Sequence, residues 1–117
     1  MIHKCIALVV PARLSEEVTA GILDVRHGTL QALYGPLDCI VCGDWQVYVR
    51  ADSSSGLRPN VRATQLLHET GLYLPEVAGN ALYLGRTDHG WDTDAPAHLI
   101  RLAERLFDTR LATAELV

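Results

Sequence analysis

The sequence predicts an α+β domain: a mostly antiparallel sheet of about five strands, with two to three helices packed on one of its faces. Three observations predict it. "LDCIVCGDWQVYVR", beginning at Leu37, is two β-rich runs joined by Gly43-Asp44, a pair suited to a tight hairpin turn. "NVRATQLLHETG" and "DAPAHLIRLAERLFDT" carry apolar residues at helical spacing behind residues able to cap a helix. "IHKCIALVV" is short, apolar and ends in Val9-Val10 before Pro11, which is the pattern of a buried strand.

Each element follows from local chemistry. After the first strand, "SEEVTAGILDVRHG" carries two periods at once. Val18, Ile22 and Val25 have helical spacing and Ser15 can cap, but Val18, Ala20 and Ile22 also alternate. Gly21 would cost a helix about 1 kcal/mol, so the segment Glu17 to Asp24 is read as an edge strand. "GTLQALYG" then reads as a short helix in which Leu30 and Leu33 share a face and Gly35-Pro36 ends the turn. In the second arm of the hairpin, Trp45, Val47 and Val49 point one way, and Gln46, Tyr48 and Arg50 the other. "DSSSG" is a loop. Asn60 caps the helix after it, and Gly71 lies just past that helix's end. "NALYLGR" is a strand entered through Gly79-Asn80. In the last helix Asp94 is the expected cap, Pro96 fits the first turn, and Leu99, Ala103 and Leu106 form a stripe with Ile100 and Phe107 beside it. The tail beyond Arg110 is expected to fray.

A chain of 117 residues fits a single domain spanning 1–117. With 49% hydrophobic and 21% charged residues it is globular rather than disordered, and it needs no disulfide, metal or cofactor to fold. A net charge of −4 argues against general nucleic-acid binding. No apolar run approaches the length of a membrane span. Three cysteines, an odd count, fit a reducing cytoplasm better than a disulfide framework.

Four groups of residues invite a functional reading. Cys39 and Cys42 spell C-x-x-C, but residues three apart on a strand point to opposite faces, so they are expected to be core cysteines, as is Cys5. "TDHGWDTDAPAH" gathers Asp88, His89, Asp92, Asp94 and His98. These types can hold a divalent metal or run acid–base chemistry, but the spacing matches no familiar ligand pattern, and a polar loop ending in a helix cap accounts for it. Trp91 within that loop either tucks back onto the core or anchors a protein contact. Arg50, Arg58 and Arg62 surround the serine loop. If Arg58 and Arg62 converge with the free N–H groups at the start of the helix near Val61, they make an anion pocket, to which Ser53, Ser54 and Ser55 would add hydroxyls. "GLRPNVRAT" also has a purely structural meaning, because Pro59 holds Arg58 extended, Asn60 caps and Ala63 packs closely. No nucleotide-binding glycine loop or nucleophile elbow is present. His68, beside Glu69 on the helix, is expected at the surface.

The order "LQALYG", "DCIVCGDWQVYVRAD", "GLRPNVRAT", "VAGNALYLG" resembles a small domain-of-unknown-function family of bacteria and bacteriophages, with many members in actinobacteria and their phages. Gly56, Leu57, Asn60, Ala63 and Thr64 match its G-L-x-x-N-x-x-A-T segment, and Gly79 and Gly85 its last strand. The resemblance implies a small cytoplasmic accessory protein, phage-related, that acts by binding a host factor. The first expectation is therefore a non-enzymatic protein that binds a host protein, with a homodimer formed through a sheet edge or the last helix. The alternative is a protein that binds or sequesters a nucleotide-like anion through Arg50, Arg58 and Arg62. A metal-dependent enzyme using His89, Asp92, Asp94 and His98 comes third.

Overall fold

A computed structural model describes residues 4–51, 56–73 and 77–111, and the backbone of 113–115. The elements run β1 (Lys4–Val10), β2 (Thr19–Asp24), α1 (His27–Tyr34), β3 (Leu37–Cys42), β4 (Trp45–Arg50), α2 (Val61–Glu69), β5 (Ala81–Arg86), β6 (Asp92–Thr93), α3 (Ala97–Leu106) and β7 (Thr113–Glu115). The strands form one sheet in the order β3-β4-β5-β1-β2-β7, with β6 paired to β5. Every pairing but β2–β7 is antiparallel. The fold class is thus the α+β arrangement that the sequence predicts.

The helices lie on both faces of the sheet, not on one. Leu8, Val10, Val47 and Tyr83 face α2 and α3, where Ala63, Leu66, Leu67, Leu99 and Ala103 complete one apolar core. Cys5, Ala7, Val9, Leu82 and Leu84 face the other way and meet Leu30 of α1 in a second core. The reason is topological. β2 and β3 stand on opposite sides of the central pair β5 and β1, so α1 must cross the sheet between them. α2 and α3 already fill one face, and the near-continuous apolar run of β1 supplies apolar residues for the other.

Two further expectations are corrected by the sheet. β2 is not an edge, because β7 pairs alongside it in parallel, from Ala20↔Thr113 to Ile22↔Glu115. The backbone at 113–115 is accordingly a strand and not a frayed tail. The hairpin turn is as expected: Cys42 pairs with Trp45, and Gly43 takes φ 65° at the first loop position, where a type II′ turn requires positive φ.

Local signals set the helix ends. Asn60 is fully buried, and its Oδ1 accepts from the Ala63 N–H at 2.9 Å while its Nδ2 donates to the carbonyls of Val10 and Gly79, both at 2.8 Å. One side chain thus caps α2 and ties it to β1 and to the entry of β5. Gly35 ends α1 at φ 80°. Leu33, however, is exposed while Leu30 is buried. Three residues advance a helix by only about 300°, which leaves Leu33 on the flank of so short a helix. The start of α3 departs from expectation: its cap position is Pro96, with no side-chain cap hydrogen bond. Asp94 is used elsewhere. Its Oδ1 accepts from the Ile6 N–H at 2.7 Å, and the Ala95 N–H donates to the Ile6 carbonyl at 2.8 Å. The chain around β6 fills the fork where the first half of β1 diverges from β5.

Candidate functional site

The α1 face is only partly covered. α1 shields the sheet around Leu82 and Leu84. Beside it lies an open cavity of about 570 Å³, bounded by the start of α1, by β4 and by the Thr87–Asp92 loop. Its apolar wall is Val25, Leu30 and Leu37, and its aromatic groups are Tyr48 and Trp91. That volume lies within the range of small-molecule sites.

Polar groups enter this wall in an ordered way. The alternation of β4 sends Gln46 and Tyr48 to the α1 face, away from Trp45 and Val47. Gln46 is buried, and its Nε2 donates to Asp92 Oδ1 at 2.5 Å. The Tyr48 hydroxyl donates to the same oxygen at 2.9 Å. On the neighbouring strand β3, Cys39 Sγ donates to Gln46 Oε1 at 3.3 Å. A chain Cys39–Gln46–Asp92–Tyr48 therefore links β3, β4 and β6, and its members Asp92 and Tyr48 line the cavity. Asp92 reaches it because β6 pairs with the end of β5, Arg86 opposite Asp92. A Cβ at Gly85 would run into the Asp94 carbonyl, so that close approach requires glycine.

Protonation follows this geometry. Burial pushes the Tyr48 hydroxyl well above the usual tyrosine range, and its hydrogen bond to the Asp92 carboxylate pushes the same way. Burial also raises the Cys39 thiol, with the Asp92 charge adding to the effect. Both groups are neutral donors at neutral pH, and neither is an activated nucleophile.

Trp91 is 59% exposed and stands at the cavity rather than in the core, with the His89 ring 6.3 Å away. The other members of the Asp/His loop disperse. Asp92 joins the polar chain, Asp94 pins Ile6, and His98 Nε2 sits 3.3 Å from Asp44 at the hairpin turn. Among the described residues no three His, Cys, Asp or Glu side chains are grouped to hold a metal ion. Cys39 and Cys42 do point apart, Cys39 to Gln46 and Cys42 to the α2–α3 core. Neither is buried, in contrast to Cys5. They lie on β3, the outermost strand, so one flank of each stays open to solvent.

The three arginines serve different parts of the molecule. Arg62 Nη2 donates to the carbonyls of Pro11, Arg13 and Glu16, bracing the connection between β1 and β2 from α2. Arg50 runs from beside Gly79 to Gly35, where its guanidinium lies at the C-terminal end of α1, the end that favours a cation. The Arg58 side chain is exposed, and its carbonyl accepts from the Gly79 N–H. Ser53, Ser54 and Ser55 lie outside the described residues. His68 is at the surface, its ring tilted 39° against that of Tyr73 with the centroids 5.5 Å apart.

Fold and site together define an α+β domain with helices on both faces of its sheet and a ligand-sized cavity beside the smaller helix. Among known proteins, no family model, no curated protein and no solved structure matches the chain. No helix among the described residues is long and apolar enough to cross a membrane.

Proposed function

We propose that the protein is a non-enzymatic binder of a small, largely apolar organic molecule, which it holds in the cavity beside α1. One observation carries the reading: a cavity of about 570 Å³ whose wall combines Leu30, Leu37 and Trp91 with a hydrogen-bonded carboxylate, Asp92. An apolar wall with a few fixed polar groups is what small-molecule recognition requires. The protonated states of Cys39 and Tyr48 favour binding over covalent chemistry. Titration of the full chain with a neutral aryl probe such as indole, followed by amide chemical shifts, tests this. Shifts are expected at Arg26 to Leu30, Tyr48 and Thr87 to Asp92. Leu37→Trp, which fills the cavity from β3, should abolish them while the melting temperature is retained. Shifts scattered over the surface, or none at millimolar probe, would refute the reading.

A second reading is favoured by Trp91 and by Val41, which is 52% exposed on the outermost strand β3. A protein partner, or a second copy of this chain, would pair along β3 or seat on Trp91. The host-factor partner implied by the family resemblance belongs here. Sedimentation of wild type and Val41→Lys checks the homodimer: a dimer lost in the variant supports it, and a monomer at high concentration removes it.

A further inference from the structure

We infer that the cavity selects an organic cation: a molecule with an apolar or aryl body and one ammonium group, which Asp92 receives through the carboxylate oxygen that Gln46 and Tyr48 leave open. This rests on the small-molecule reading above and adds to it the charge of the ligand.

Gln46 Nε2 and the Tyr48 hydroxyl both bond to Asp92 Oδ1. Both are neutral, so they orient the carboxylate without cancelling its charge. Oδ2 accepts no hydrogen bond from the described residues. The described ion pairs join Arg26 to Asp24 and His98 to Asp44, and neither involves Asp92. A half-buried carboxylate held in this way is most stabilised by a positive partner.

No cation among the described residues stands within ion-pair distance of Asp92. Arg26 lines the cavity, but its Nε and Nη2 are both engaged by the Asp24 carboxylate. Arg86 stands opposite Asp92 in the β5–β6 pairing and its charge reaches the Cys39 thiol, but its guanidinium packs under Gly90, where Nη2 would stand 3.0 Å from an added Cβ, and it makes no ion pair with Asp92. His27, the remaining basic group of the lining, is exposed at the start of α1. The other components suit a cation. Trp91 and Tyr48 share the cavity with Asp92, and aromatic faces attract ammonium groups. Leu30, Leu37 and Val25 would take the apolar body. A metal ion does not fit, since Asp92 has no second and third ligand grouped with it among the described residues.

The test uses three probes of one shape on the full-length protein: 2-phenylethylammonium, 2-phenylethanol and 3-phenylpropionate, each titrated with amide shifts and tryptophan fluorescence as readouts. The ammonium probe is expected to bind about tenfold tighter than the alcohol, and the carboxylate weakest. Asp92→Asn keeps an oxygen for Gln46 and Tyr48. It should remove the preference, so that the ammonium probe binds no tighter than the alcohol does to the same variant. Equal affinities, a preference for the carboxylate, or a preference that survives in D92N would overturn the inference. If the alcohol binds and the ammonium binds no better, the cavity reading stands and charge selection fails. If none of the three binds, both fail. The ranking in wild-type protein decides the matter even if D92N does not fold.

Discussion

The two faces of the sheet bury polar groups in opposite ways. On the α2–α3 face, Asn60 is fully buried and Tyr83 is as well, its hydroxyl donating to the Ala63 carbonyl at 2.8 Å. Each is closed off by backbone, so these bonds fasten helices to strands. On the α1 face, Gln46 and Tyr48 turn instead to a side chain of the cavity wall, Asp92, whose other oxygen accepts no hydrogen bond from the described residues. The difference is one of coverage. Two helices fill the first face, whereas α1, of 8 residues, leaves part of the second uncovered. A fully packed face spends its polar groups on stability, and a partly covered one leaves them available to a ligand.

Substitutions can separate the two faces. The largest loss is expected at Asn60→Ala, about 3 kcal/mol, because it strips the α2 cap and strands two buried carbonyls. Gln46→Leu, the matching change on the other face, should cost about 1 kcal/mol, since Tyr48 still holds Asp92. Chemical denaturation of both variants measures the contrast, and equal losses would remove the distinction. Next come Leu66→Ala and Leu30→Ala. The first opens a void in a filled core and should cost about 2.5 kcal/mol. The second enlarges an existing cavity and should cost about half of that while changing probe affinity.

Alkaline stability gives a third comparison. Burial, aided by the charges of Asp94 and Asp92, pushes the Cys5 thiol from 9.0 up to about 11. The folded state therefore holds this proton more tightly than the unfolded state. The associated stability is fully present below pH 9.0 and is lost as pH rises through about 11. Melting temperatures across that window should fall less steeply in Cys5→Ala than in wild type. The smallest effect is expected at His98→Ala. The His98–Asp44 pair is exposed, at 56% and 67%, so the loss should stay within about 0.5 kcal/mol and vanish in high salt.

Much of the fold was legible because it is locally encoded. The Gly43 turn, the Asn60 cap and the stripe through Leu99 and Ala103 each depend on residues within a few positions of one another. The face crossed by α1 was less accessible. Its signal was the unbroken apolar run of β1, which asks for cover on both sides, but alternation in β4 and β5 does not say which helix provides it. The candidate site was harder still. Alternation placed Gln46 and Tyr48 on one face and the loop composition marked Asp92 and Trp91, yet nothing local joined them. Asp94 looked like a helix cap because it has the residue type and position of one. The open fork between β1 and β5 gave it the Ile6 N–H instead.

What the sequence by itself determined is the kind and order of the elements and the chemistry of their ends, since backbone propensity, turn geometry and capping act over a few residues. Only the tertiary structure decided that Asp92 meets Gln46 and Tyr48, which are 46 and 44 positions away. That meeting depends on strand order, and strand order is fixed by how whole faces bury their apolar surface, not by any one segment's preference.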